Sequence, residues 1–137
     1  MYQNENFPKM KKLTILLTGA LCATIPGAVA FHYRSNALNI LNYQNQAALH
    51  SSQGNYEAAV IDYTKAININ PKDANLYSNR GDVYKRLGYY QLAIHDYTQA
   101  IKISPTTKYF EQRAKIWDEL KEFDKANADR KGINIDS

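Results

Sequence analysis

An all-α fold, a superhelix of stacked helix-turn-helix units, is what this sequence predicts, on three observations. At an offset of 34 residues, Tyr43 and Tyr77, Gly54 and Gly88, Tyr56 and Tyr90, Ala59 and Ala93, Tyr63 and Tyr97, Ala66 and Ala100, and Pro71 and Pro105 are identical pairs. A fixed period of that length marks repeated supersecondary units. Within a unit the apolar residues follow helical spacing, as in Tyr77, Tyr84 and Leu87, then Tyr90, Ala93, Ile94, Tyr97, Ala100 and Ile101. Punctuation is as regular: Gly54 and Gly88 fall between paired helices, where a positive φ costs glycine little, and Pro71 and Pro105 end the second helix.

Composition agrees with one ordinary globular domain: 137 residues, 45% apolar and 22% charged. The only cysteine, Cys22, lies near the N-terminus, so the rest of the chain can form neither an internal disulfide nor a thiolate metal site. Net charge is +4, and residues 1–30 hold Lys9, Lys11 and Lys12 against Glu5, which leaves 14 basic and 12 acidic residues downstream. A balance of +2 is too weak for a nucleic-acid footprint, and no nucleic-acid partner is expected.

Residues 1–30 read as an address. Three lysines precede thirteen uncharged residues, "LTILLTGALCATI", followed by Pro26-Gly27 and the small-x-small site Ala28-Val29-Ala30. That is the order of a secretory signal peptide, cleaved after Ala30. The uncharged run from Leu13 to Phe31 also nearly suffices, at about 1.5 Å per helical residue, to cross a hydrocarbon core of roughly 30 Å, so an uncleaved anchor is the rival. A buried soluble helix is the third reading, and it leaves Pro26-Gly27 and the lysines without a role. Both leading readings insert the N-terminus in the membrane at least transiently. They put everything after Arg34 outside the cytoplasm, as a periplasmic or secreted protein or as a membrane-anchored one.

Residues 31–39 are expected as a spacer leading into the first helix, with Ser35 or Asn36 as its cap. The repeat domain follows over 40–137, with repeats at about 40–73, 74–106 and 107–137. Small Ala47 or Gly81 in the first helix of a unit and Ala59 or Ala93 in the second let two axes approach, and the tyrosines fill what remains. Omitting one residue after Pro105 aligns Phe110, Ala114, Trp117, Leu120, Phe123 and Ala126 with the earlier units. There Lys121 takes the glycine slot and Arg130 the slot of Tyr63 and Tyr97. A terminal unit with a polar outer side is expected to look so, because no neighbour covers it.

These residues resemble the tetratricopeptide repeat (TPR) family. Residues 74–105 carry its spacing at Tyr77, Gly81, Tyr84, Gly88, Tyr90, Ala93, Tyr97, Ala100 and Pro105. Residues 40–71 carry it at Tyr43, Ala47, Gly54, Tyr56, Ala59, Tyr63, Ala66 and Pro71, departing at His50, where an aromatic is usual. The resemblance covers roughly residues 40–133 and implies six helices in a short right-handed superhelix.

Chemistry-bearing constellations are absent from the sequence. His32, His50 and His95 show no metal-ligand spacing, and no glycine-rich phosphate loop occurs, so neither metal, cofactor nor enzymatic activity is expected. Asp62 and Asp96 repeat, which suggests paired carboxylates. Each precedes a core tyrosine, and solvated helix-face charge is the reading preferred here. Most of the eleven tyrosines sit in the repeat's packing positions and are assigned to the core.

Family resemblance implies a concave face, lined by the first helix of each unit, that holds a peptide or a partner helix. Its candidate residues are Gln44, Asn45, Ala48 and Ser52, then Asn75, Ser78, Asn79, Asp82, Lys85 and Arg86, then Lys108, Glu111, Gln112 and Lys115. A known variant grips a chaperone's terminal carboxylate with five Lys, Asn and Arg donors. Asn79 and Lys108 match it, while Gln44, Ala48 and Gln112 stand where three donors are required, and such a clamp depends on charge-assisted bonds. Lys85, Arg86, Lys108 and Lys115 form a possible positive patch, or merely helix-end cations favoured by the dipole. The expectation is therefore an exported or anchored scaffold that binds a protein or peptide. The alternative is homo-oligomerisation through the terminal repeat, with Phe110, Trp117 and Phe123 supplying apolar area. A regulatory subunit of an envelope enzyme is a remote third.

Overall fold

The computed structural model describes residues 27–132, with side chains from Arg34 onward. Six helices follow one another: α1 (Gly27–Ser52), α2 (Tyr56–Ile69), α3 (Ala74–Arg86), α4 (Tyr90–Ile103), α5 (Thr107–Glu119) and α6 (Phe123–Arg130). No strand occurs among the described residues. Each helix packs on the next, so three hairpins stack in chain order.

One closure ends the first helix of every hairpin. The amides of Asn55, Tyr89 and Glu122 donate back to the carbonyls of His50, Tyr84 and Trp117 at 2.9, 2.9 and 2.8 Å. This six-to-one closure requires a left-handed residue just before the donor. Gly54 and Gly88 supply it at φ 79° and 77°, whereas the third turn places Lys121 there at φ 62°.

The core forms where successive hairpins meet. Ala47, Ala59, Tyr63, Ala66, Ile67, Leu76 and Val83 are buried together between the first hairpin and α3. Ala93, Ile94, Tyr97, Ala114, Ile116, Trp117 and Ala126 do the same one layer on. The small residues permit close approach: a Cβ added to Gly81 meets the Tyr97 ring at 3.2 Å.

Four expectations change. Residues 31–39, expected as spacer, lie within α1, and so do Ser35 and Asn36, expected as its cap. No proline or glycine interrupts the chain between Ala28 and Gln53, so nothing stops the helix. The cleavage pair Ala28 and Ala30 lies in its first turn, while the apolar run from Leu13 to Ile25 lies outside the described residues. No helix among the described residues is long and apolar enough to cross a membrane.

Asp62 and Asp96, read as solvated, are buried, and so is Asp129. Arg80 donates through Nε and Nη2 to the two carboxylate oxygens of Asp96 at 2.8 and 2.9 Å, and through Nη1 to Thr64 Oγ1 at 2.9 Å. Arg113 repeats the arrangement with Asp129 at 3.0 and 2.7 Å and Thr98 at 2.7 Å. Each guanidinium thus joins three helices: its own, its hairpin partner and the second helix of the preceding hairpin. Burial pulls the Arg80 pKa down, but the hydrogen bond and charge of Asp96 outweigh that and hold it above the ordinary value. The first hairpin has Gln46 in the arginine slot, and Asp62 instead lies 3.0 Å from His50 Nδ1 and accepts from Lys65 at 2.9 Å.

Phe110 and Trp117, expected to offer a terminal apolar face, are spent in the core, and only Phe123 of the three is exposed. Ser78, expected in the groove, is buried and donates to Gln112 Oε1 at 3.0 Å.

Candidate functional site

The first helices of the hairpins run side by side, tied by polar contacts. Tyr109 donates to Asn75 Oδ1 at 2.9 Å, Gln112 Nε2 donates to both oxygens of Asp82 at 3.2 and 3.3 Å, and Lys85 pairs with Glu119 at 3.2 Å. Hydrogen bonds from Tyr90 and Lys85 hold the Glu119 carboxyl below its ordinary pKa. These ties leave α3 and α5 closed on each other.

Between α1 and α3 the molecule is open. A cavity of about 810 Å³ lies there, lined by Ala48, Ser51 and Ser52 of α1, Tyr56 and Tyr63 of α2, and Asn79, Asp82, Val83, Lys85 and Arg86 of α3. Six of the sequence-predicted residues, Ala48, Ser52, Asn79, Asp82, Lys85 and Arg86, are therefore brought together. Gln44, Asn45 and Asn75 flank it on α1 and α3, and Lys108, Glu111, Gln112 and Lys115 sit on α5 away from it. The two clamp matches separate, since Asn79 lines the cavity and Lys108 instead lies over the Tyr109 ring at 6.0 Å. Lys85 is paired, so the expected positive patch retains Arg86 as its unpaired member at the cavity.

Sequence reasoning assigned Tyr63 wholly to the core. It is 6% exposed, yet its hydroxyl end borders the cavity, and no described residue accepts from it. Its counterpart Tyr97 donates to Asp82 Oδ1 at 2.6 Å. The slot of Asp82 in the first hairpin holds Ala48. The signal was present as that aspartate-to-alanine difference beneath two identical tyrosines. Burial first, and the Asp82 charge second, raise the Tyr63 pKa, so its hydroxyl stays a neutral donor. Among the described residues, no group of three or more His, Cys, Asp or Glu side chains could hold a metal ion.

The family comparison follows the same boundaries. The sequence profile described as TPR repeat matches residues 49–88, and that described as tetratricopeptide repeat matches 74–107. Residues 49–107 are tetratricopeptide repeats. Solved structures similar to this TPR protein include the Arabidopsis OM64 TPR domain, with 27% identity, 71% of this chain and 82% of that one covered, and a TM-score of 0.65. The second TPR of Spaghetti (RPAP3), bound to the HSP90 peptide SRMEEVD, has 25% identity, 74% and 94% coverage and a TM-score of 0.67. The second TPR domain of human RPAP3, in complex with the HSP70 peptide SGPTIEEVD, has 26% identity, 69% and 79% coverage and a TM-score of 0.64. No curated protein matches the chain significantly. TPR domains are generally non-catalytic interaction modules, and the peptide-bound neighbours support that role for this TPR protein.

Proposed function

We propose that this TPR protein holds an extended segment of a partner protein against α1 and α3, anchored in the cavity between them. The observation that carries the reading is the concentration of uncommitted polar groups in one concave site: Tyr63, Asn79 and Arg86 all border it without an internal partner among the described residues. Convergent polar groups in a concave site are what fix a ligand's orientation in a binding pocket. The peptide-bound neighbours give the reading its ligand class, and the missing donors at Gln44, Ala48 and Gln112 argue against a chaperone's terminal carboxylate as that ligand.

Affinity capture from cell extracts with the full chain, compared with an Asn79→Ala, Arg86→Glu variant, tests it. Loss of about tenfold or more in partner recovery is expected, since anchors in a desolvated pocket typically carry more than 1 kcal/mol each. Equal recovery removes the groove from the argument. The proposal includes delivery outside the cytoplasm by residues 1–30, on the order of lysines, apolar run and Ala28-Val29-Ala30. N-terminal sequencing of the mature protein distinguishes a start at Phe31 from a retained anchor.

Self-association is favoured by one observation. Leu49, Val83 and Ile116 occupy one repeat position; Val83 and Ile116 are buried against a preceding hairpin, while Leu49 is 55% exposed because none precedes it. Leu38 and Leu41, also exposed, fall on the same side of α1 by spacing. Sedimentation as a monomer at every concentration excludes this second reading.

A further inference from the structure

Internal repetition lets one hairpin report what another lacks. In the second hairpin the Tyr97 hydroxyl is satisfied by the carboxylate of Asp82 on the facing helix, at 2.6 Å, and that carboxylate also accepts from Gln112 of the next hairpin. In the first hairpin the tyrosine is retained as Tyr63, but the facing position is Ala48. The space of the absent carboxylate is part of the cavity, and the Tyr63 hydroxyl beside it, open to the cavity, has no acceptor among the described residues.

We propose that the cavity is a subsite for an acidic side chain, Glu or Asp, of a bound extended peptide, whose carboxylate stands against Tyr63 where Asp82 stands against Tyr97. This inference rests on the groove reading and names the chemistry of its anchor. The second hairpin fills this space from within through Asp82, and Ala48 leaves it open in the first, so an arriving carboxylate can make the bond that Tyr97 makes internally. Arg86 is the cation left at the cavity, since Lys85 pairs with Glu119 and the Asp82 carboxylate is already engaged by Tyr97 and Gln112. Asn79 adds an amide donor on the α3 side, and Arg86 has no ion-pair partner among the described residues. Hydrogen bonds to an ionised acceptor are roughly twice as strong as neutral ones, which sets the preference for a carboxylate over an amide. The site differs from the terminal-carboxylate clamp, because its central donor is the tyrosine of a second helix.

The test uses the full chain and two decapeptides, acetylated at the N-terminus and amidated at the C-terminus so that no terminal carboxylate is present. One alternates serine with glutamate and the other serine with glutamine. Titration followed by amide NMR shifts is expected to show the glutamate peptide binding about tenfold more tightly, with shifts centred on Tyr63, Asn79 and Arg86. Tyr63→Phe, a near-isosteric change, is expected to weaken the glutamate peptide about fivefold and leave the glutamine peptide unchanged. Ala48→Asp supplies the missing acceptor from within and is expected to abolish the preference while the protein stays folded. Equal affinity for the two peptides, or a glutamate peptide indifferent to both Tyr63→Phe and Ala48→Asp, overturns the subsite. The groove reading is judged separately, by partner capture with the Asn79→Ala, Arg86→Glu variant. A third peptide with a free terminal carboxylate and no acidic side chains separates the two carboxylate sources, and its binding in preference to the glutamate peptide also overturns the proposal.

Discussion

Removing the Asp129 carboxylate while keeping Arg113 tests the buried ladder most directly. Both side chains are fully buried, and their paired bonds at 3.0 and 2.7 Å leave Thr98 as the third ligand of the guanidinium. Asp129→Ala therefore takes the paired carboxylate from a buried cation. Breaking such a pair from one side typically costs about 3–5 kcal/mol, because the remaining charge stays desolvated. Against a domain stability of roughly 5–15 kcal/mol that is a large fraction. At about 3–5 °C per kcal/mol for a chain of this size, Tm should fall by at least about 9 °C. Circular dichroism melts measure this, and hydrogen exchange should place the earliest opening in α5 and α6, since nearest-neighbour coupling confines damage to its own repeat. The paired replacement Arg113→Met, Asp129→Leu removes both charges and should recover most of the loss. An Asp129→Ala melt within about 2 °C of the parent would refute the reasoning.

Two further outcomes follow from the same geometry. Lys121→Gly should stabilise the third turn by about 1 kcal/mol, because φ 62° is costly for a residue with a Cβ; urea midpoints measure the gain. Burial and hydrogen bonding to Asp82 raise the Tyr97 pKa far above the ordinary tyrosine value of 10.0. Its contribution is therefore complete below that value and is lost as pH rises beyond it, because the unfolded chain gives up the proton first. Stability should fall above pH 10 by up to about 1.4 kcal/mol per pH unit for this group, and Tyr97→Phe should flatten that slope.

The architecture was legible because it is written in residues whose roles are steric. Ala59, Ala93, Gly54 and Gly88 are small or left-handed for reasons that hold in any such hairpin; the tyrosine spacing marks the helices of the first two units, and Phe110, Ala114, Trp117, Leu120, Phe123 and Ala126 the register of the third. Charge hid the rest. Asp62 and Asp96 look solvated in one dimension, since only the fold brings Arg80 within reach of Asp96, sixteen residues on. Six of the fourteen groove candidates line the cavity, and Tyr63 was missed because a tyrosine can be core at its ring and surface at its oxygen. The reach of α1 was misjudged because a spacer was inferred from position, although residues 31–39 contain nothing that breaks a helix.

The bonds from Arg80 to Thr64 and from Arg113 to Thr98 run between layers and are anchored on a planar, rigid fork. They tie each hairpin to the one before through hydroxyls outside the cavity lining, so Thr64→Val would loosen the seam behind the trough without altering a single lining residue.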